Sequence, residues 1–160
     1  SGNFAISVWT LPTVMYPTGT GGGSYNMFMG GVGADFIGWQ SEDRLTIRFV
    51  SGAARTFTGI NYIGNLIHLT LTRTGDIIDL YINGEYFKSV TESTDFRTRY
   101  VGRHTSNYWF EGSIRDLRIY NRALSAEEIN ILYETTNPES NTQMKMTEDS
   151  IYLQSQLKEV

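Results

Sequence analysis

The chain has 160 residues, which is enough for one domain with a sizeable core. Its net charge of -4 argues against a nucleic acid or an acidic membrane as partner, because an acidic surface repels both. No apolar run approaches the length needed for membrane insertion, and the absence of cysteine excludes disulfide bonds. The 16 glycines, 13% aromatic residues and only 3 prolines favour an all-β domain with many tight turns.

The first part of the chain predicts short strands separated by turns. Residues 4–11 form the first strand, and a glycine-rich loop at 13–24 follows. Leu45, Ile47 and Phe49 alternate with polar residues, which is typical of a half-buried antiparallel strand. The strands predicted in this region are 4–11, 25–30, 36–39, 44–50 and 54–58.

The second part of the chain predicts two hairpins and a closing strand. Residues 66–73 and 77–83 pair across a Thr-Gly-Asp turn, and Asn83-Gly84 has the sequence of a type I′ turn into strand 85–90. Two further strands are predicted at 99–103 and 114–120. Strands at this spacing predict a sandwich of two antiparallel sheets.

A short helix follows the closing strand. Ser125 and Glu128 have the spacing of a capping box, in which each side chain binds the other residue's backbone N–H. Ile129, Leu132 and Tyr133 then form one apolar stripe at helical spacing. The Asn-Pro dipeptide at 137–138 ends the helix.

Three ordered motifs carry a family resemblance. Residues 4–9 read FAISVW, residues 68–84 contain HLTLTRTG and IDLYING, and residues 109–125 read WFEGSIRDLRIYNRALS. This series resembles the laminin-G-like, concanavalin A-like jelly-roll domains of the lectin and glucanase superfamily. The resemblance implies an all-β, two-sheet antiparallel jelly-roll sandwich with one short C-terminal helix, here spanning residues 1–136.

Residues 137–160 are predicted to be a C-terminal extension. Members of this family usually begin with one or two strands before the FAISVW position, and here those strands are missing. Met144 and Met146 alternate with polar residues, a turn follows at 148–150, and Ile151 and Leu153 form a second apolar row. This pattern predicts a β-hairpin that completes the sandwich or mediates homo-oligomerisation, for example as a trimer; the alternative is a mobile tail.

The carboxylates do not predict a catalytic pair. A retaining glycosidase needs two carboxylates about 5 Å apart, which on a jelly-roll strand requires acids that alternate along one face. Asp76 and Asp79 point to opposite faces of a strand, and Glu127 and Glu128 lie in the first turn of the helix, where they favour its dipole. We therefore predict a protein that is not an enzyme.

Sugar binding requires exposed aromatic rings next to side chains that bond hydroxyl groups. The richest such cluster in the sequence lies between two predicted strands. Trp9, by contrast, is expected in the core. The predicted ligand-binding residues are Arg103, His104, Asn107, Tyr108 and Trp109, with Tyr16, Tyr25, Trp39 and Tyr62 as further candidates.

The histidines and loop aspartates have separate interpretations. We expect His68 to be a hydrogen-bonded histidine inside the sandwich and His104 to be exposed in its loop. No metal-site motif is present. Asp35 and Asp43 are candidate calcium ligands, since many members of the family that this sequence resembles bind this ion with aspartates at the rim. At Asp116, the neighbouring arginine is expected to replace a cation by a salt bridge.

The sequence therefore favours a noncatalytic recognition module. We expect it to bind a cell-surface glycan or receptor. We expect it to lie at the C-terminal end of an extracellular or virion protein, such as a phage tail fibre, because its last residues loosely resemble the ends of some phage tail and fibre proteins. A structural or assembly domain without a small ligand is the alternative, and a glycoside hydrolase is a more distant one.

Overall fold

The computed structural model describes residues 2–14, 25–31, 33, 35–40, 43–49, 53–104 and 108–139, which form two five-stranded antiparallel sheets and one helix. In spatial order, the first sheet consists of β10 (Gly112–Tyr120), β1 (Phe4–Pro12), β6 (Ile67–Thr74), β7 (Ile77–Ile82) and β8 (Glu85–Thr91). The second consists of β5 (Arg55–Phe57), β4 (Arg44–Arg48), β3 (Phe36–Gln40), β2 (Tyr25–Gly31) and β9 (Thr98–Val101). The predicted fold class is confirmed.

The core lies between the two sheets and follows from the alternation of side chains along each strand. On β1, Ile6 and Val8 point into the core, whereas Trp9 lies on the outer face of the first sheet. On β4, Leu45 and Ile47 are buried in the same core. The strand pattern read from the sequence is therefore the pattern that builds the sandwich.

Two sets of contacts fix which strands of the two sheets face each other. On one side, Arg55 of β5 donates from Nε to the Thr91 carbonyl at the end of β8, over 3.0 Å. On the other side, Asn26 of β2 accepts the backbone N–H of Glu111 at 2.6 Å, directly before β10 begins. The outermost strands β9 and β10 therefore lie on the same side of the sandwich.

Helix α1 (Ala126–Thr136) covers the outer face of the first sheet. Its N-terminus has the predicted capping box: the Glu128 N–H donates to Ser125 Oγ at 3.2 Å, and the Ser125 N–H donates to Glu128 Oε2 at 2.9 Å. Ile129 and Leu132 then pack on Ala5 and Tyr81 of the sheet. Because the helix is only 11 residues long, this packing rather than intrinsic helical propensity stabilises it.

Most strands begin or end one or two residues from their predicted bounds, and two of these differences have a cause in the strand pairing. β10 begins at Gly112, earlier than predicted, because residues 112–114 pair with the end of β1. β9 ends at Val101, since Arg103 instead forms an isolated bridge with Trp109. The predicted hairpin at 143–157 lies outside the described residues.

Candidate functional site

The outer face of the second sheet carries a shallow pocket. Unlike the first sheet, this face has no helix over it among the described residues. The pocket has a volume of about 200 Å³. It is lined by Tyr25, Met27, Gly33, Phe36, Arg48, His104 and Tyr108.

Strand register brings the pocket residues together. Tyr25 pairs with Gln40 at one end of β2 and β3, and Phe36 pairs with both Gly30 and Arg48, so these side chains share the outer face. The rings of Tyr25 and Phe36 meet edge to face, with centroids 4.8 Å apart. They form an aromatic wall of the pocket.

A glycine allows the loop after β9 to approach the sheet. A Cβ atom on Gly30 would lie 2.5 Å from the Arg103 carbonyl oxygen and 2.5 Å from the His104 Cα. The absence of a side chain there lets residues 103–104 pack directly on β2. The His104 N–H then donates to the Tyr108 carbonyl at 2.8 Å, which holds Tyr108 beside the pocket.

His104 is buried, so the expectation of an exposed histidine is wrong. Its ring packs against Phe36 and Tyr108, with centroids 6.3 and 6.0 Å away. Burial lowers the pKa of the His104 imidazole, against an opposing effect of Asp35, and favours the neutral ring at pH 7. A neutral imidazole can both donate and accept hydrogen bonds.

Arg103 and Trp109 form the rim next to the pocket. The Arg103 guanidinium lies 4.4 Å from the Tyr100 ring centroid and 5.4 Å from that of Trp109. This cation–π arrangement orients the guanidinium between two aromatic rings. Trp109 remains 55% exposed, so its indole offers a stacking surface to solvent.

Two predicted ligand residues are in the core instead. Trp39 and Tyr62 are both buried, and their rings stack with centroids 4.5 Å apart. Trp39 pairs with core Leu45, and Tyr62 donates its hydroxyl to the Gln40 carbonyl at 2.9 Å. Burial raises the pKa of Tyr62 to about 12. Their assignment as surface ligand residues is therefore wrong, because both side chains fill the sandwich interior.

The structure thus brings together five of the predicted ligand residues and adds others. These five lie at one site: Tyr25, Arg103, His104, Tyr108 and Trp109. Tyr16 and Asn107 lie outside the described residues. Sequence reasoning missed three contributors to this site, although the alternation of the strands carried the signal for them. They are Phe36, Arg48 and Tyr100.

His68 belongs to the other outer face. Its Nε2 is 2.8 Å from Ser7 Oγ, and its ring lies near those of Trp9 and Tyr133 at 5.0 and 5.8 Å. The predicted structural histidine is confirmed, although it lies between the first sheet and α1 rather than between the sheets. Burial lowers its pKa to about 4.

The calcium candidates have structural partners and lie in different parts of the second sheet. Asp35 Oδ2 accepts the Arg97 N–H at 3.1 Å, and Asp43 Oδ2 accepts the Gly59 N–H at 2.7 Å. The described residues contain no group of three His, Cys, Asp or Glu side chains suited to a metal. Calcium binding at Asp35 or Asp43 therefore stays a prediction.

Asp116 forms a salt bridge, but with a different arginine from the one expected. Its Oδ1 lies 2.9 Å from Arg118 Nε. A bulge in the pairing with β1 puts Asp116 in the left-handed conformation, with φ of 49°. Residues 116 and 118 thereby approach each other.

A second, larger groove of about 450 Å³ lies at one end of the sandwich. It is bounded by the loop at residues 59–67, the turn at Asn83, and Glu139. The sequence contained no motif that pointed to it.

Comparison with known proteins identifies the family. The model of the concanavalin A-like lectin/glucanases superfamily, in its laminin-G form, matches residues 1–130. The chain belongs to this superfamily. A search of curated proteins gave no match.

Among solved structures, the sandwich is similar to the receptor-binding domain of botulinum neurotoxin D. The TM-score is 0.60 at 19% identity, covering 84% of this chain and 37% of the toxin domain. The receptor-binding domain of botulinum neurotoxin type G gives 0.55 at 19% identity, covering 84% and 38%. This chain thus spans less than two-fifths of each toxin chain. At this sequence identity, the similarity shows a shared fold alone.

Proposed function

We propose that this domain is a noncatalytic recognition module that binds a cell-surface glycan at the outer face of the second sheet. The observation that carries the proposal is the pocket formed by Tyr25, Phe36 and Tyr108 beside the exposed indole of Trp109. Aromatic faces pack on the C–H groups of pyranose rings, while polar groups nearby bond the hydroxyls.

Polar side chains with suitable chemistry surround these rings. Arg48 and the neutral imidazole of His104 line the pocket, and Arg103 is held on the rim between two rings. A guanidinium presents several N–H donors in a fixed plane, which suits neighbouring hydroxyl oxygens. The pocket is shallow and small, so it fits one or two sugar units and gives weak affinity per site.

Binding sites of low affinity gain avidity when several copies of a domain bind the same target. We propose that the domain acts at the surface of a cell or virion, for example at the end of a phage tail fibre, where several copies engage one target. The names of the similar toxin domains support a receptor as the kind of partner. The described residues contain no helix long and apolar enough to cross a membrane.

A hydrolytic role is disfavoured by the composition of the pocket. None of its described lining residues is an aspartate or glutamate. A glycosidase requires two carboxyl groups on either side of the scissile bond. Among the described residues, the site therefore has groups that suit a sugar but no pair of carboxylates suited to cleaving it.

Tyr108→Ala tests the proposal. A glycan array with the full chain identifies ligands, and titration of the best one against the variant should show at least a tenfold loss of affinity. Tyr86→Ala is the matched control, because Tyr86 is an exposed tyrosine on β8 of the first sheet. Unchanged binding by Tyr108→Ala with an intact fold would overturn the proposed site, and the absence of any glycan ligand would favour a structural or assembly domain.

A further inference from the structure

The second sheet differs in charge from the protein as a whole. Its five described strands contain Arg44, Arg48, Arg55 and Arg99 but no aspartate or glutamate. The complete chain, by contrast, has a net charge of -4. At physiological ionic strength the Debye length is about 8 Å, so a ligand on this sheet responds mainly to the charges nearest to it. The sheet can therefore attract an anion although the whole protein is acidic.

Arg48 is the cation that lines the pocket. Strand pairing places four residues in one row on the outer face, across β4, β3, β2 and β9: Arg48, Phe36, Gly30 and Tyr100. Arg48 is exposed, and within the described part of the chain it forms no ion pair. Arg55 on the neighbouring strand, in contrast, lies 3.4 Å from Glu92 Oε2. The charge of Arg48 is therefore available to a ligand.

Arg103 supplies a second cation at the other end of this row. Its guanidinium lies 4.4 Å from the ring centroid of Tyr100. The backbone of Tyr100 is three strand spacings from that of Arg48, which is about 14 Å. The pocket residue Phe36 lies between them in the row. One short glycan on the pocket can therefore contact both guanidinium groups.

Asp35 is a carboxylate close to these cations, but it lies beneath the surface. It is 0% exposed, does not line the pocket, and accepts the Arg97 N–H at Oδ2 over 3.1 Å. Burial raises the pKa of its carboxyl group, which opposes full ionisation. A ligand in the pocket therefore meets the exposed guanidinium of Arg48 before it meets this buried negative charge.

We infer that the pocket selects glycans with an acidic sugar, whose carboxylate or sulfate group binds Arg48, while Arg103 binds a neighbouring acidic unit. The inference rests on the proposed glycan site and specifies the class of ligand. A guanidinium binds a planar carboxylate or a sulfate through two parallel N–H donors, and such charge-assisted bonds are roughly twice as strong as neutral ones. The aromatic rings of the pocket hold the sugar in either case, so the acid group decides which glycan is preferred.

Matched glycans test the preference with the full chain. The probes are sets of three oligosaccharides on the same core: one neutral, one with a carboxylate-bearing sugar and one with a sulfate ester. We expect at least one acidic member to bind at least tenfold more tightly than its neutral counterpart. Raising the salt concentration from 0.1 to 1 M shortens the Debye length from about 10 to 3 Å. This change should weaken binding of the acidic glycan at least threefold and leave the neutral one unchanged.

Substitution of the arginines assigns the preference to residues. Arg48→Gln removes the charge but keeps a hydrogen-bond donor, so it should lower affinity for the acidic glycan at least tenfold and for the neutral one at most twofold. Arg103→Gln should reduce the same preference by a smaller factor. The matched control is Arg115→Gln, because Arg115 is an exposed arginine that pairs with Trp9 on the first sheet. It changes the net charge equally and should leave binding of both glycans unchanged.

The outcomes separate this inference from the proposed function. Equal affinity for neutral and acidic glycans, with both lost in Tyr108→Ala, would overturn the acidic preference and leave the glycan site intact. Equal losses for both ligands in Arg48→Gln would also overturn it, because a hydroxyl contact would then explain the role of the arginine. If no glycan binds, or if Tyr108→Ala has no effect, the proposed function fails and the inference fails with it. Tight binding of the carboxylated or of the sulfated member supports the inference and identifies the source of the anion.

Discussion

The two outer faces of the sandwich each hold a buried histidine among aromatic rings, but among the residues that the structure describes a helix covers only the face of the first sheet. His68 lies beneath α1, between the first sheet and the rings of Trp9 and Tyr133. His104 lines a pocket on the second sheet with Tyr108 beside it. Helix α1 makes this difference. A histidine therefore supports the packing of the helix on the first sheet, whereas a histidine on the second sheet lines a candidate site.

Trp9→Ala should have the largest effect on the covered face. The indole is buried, stacks on Tyr133 with centroids 5.6 Å apart, and donates from Nε1 to Thr136 Oγ1 at 2.8 Å. Its removal leaves a cavity and takes away the hydrogen bond that Thr136 Oγ1 accepts, so we expect a loss of about 3–5 kcal/mol in the free energy of unfolding. Urea denaturation measures this loss.

The matched control on the uncovered face is Trp109→Ala. Trp109 is mostly exposed, and surface substitutions usually change stability by less than about 0.5 kcal/mol. Equal losses for the two tryptophan variants would contradict the distinction between a covered and an open face.

Acid should destabilise the covered face through His68. Its pKa is lowered to about 4 in the folded protein, against about 6.5 when unfolded, so the unfolded state binds more protons between these values. Stability contributed by the neutral ring is complete above pH 6.5 and is lost as the pH falls toward 4. The expected loss is about 3 kcal/mol.

His68→Gln isolates this effect, because a glutamine amide can keep a hydrogen bond to Ser7 without titrating. The variant should show a smaller decrease in unfolding free energy between pH 7 and pH 4 than the native chain. A parallel decrease in both proteins would assign the acid sensitivity to other groups, among them His104, whose pKa is also lowered.

Much of the fold was predictable because local patterns and long-range packing agree. The capping box of Ser125 and Glu128 is set by a spacing of three residues, and the Asn83-Gly84 turn by a dipeptide whose Asn83 has φ of 51°. Strand alternation in β4 likewise places Leu45 and Ile47 in the core. Each of these features can be predicted from a few neighbouring residues, and the packing of the two sheets agrees with it.

The candidate site was harder to predict, because burial at strand ends depends on tertiary contacts. Trp39 and His104 both adjoin polar loops in the sequence, yet Trp39 faces the interior of the sandwich, and His104 is drawn onto the sheet where Gly30 leaves room. Composition identified the region of residues 103–109 as aromatic and polar. It could not show that Phe36 and Arg48, far away in sequence, complete the pocket.

Ser125→Ala should lower the free energy of unfolding by less than Trp9→Ala does. It tests whether the covered and the open face are stabilised separately. The substitution removes one side-chain acceptor at the start of α1, and such caps contribute about 1 kcal/mol.

Because α1 covers only the first sheet, amide exchange in Ser125→Ala should increase at the helix and leave the pocket strands β2 and β3 unchanged. The matched substitution Ser89→Ala, on β8 outside the helix, should not loosen α1. Faster exchange across both sheets would mean that helix docking and the pocket form one cooperative unit, so that the open face depends on the covered one.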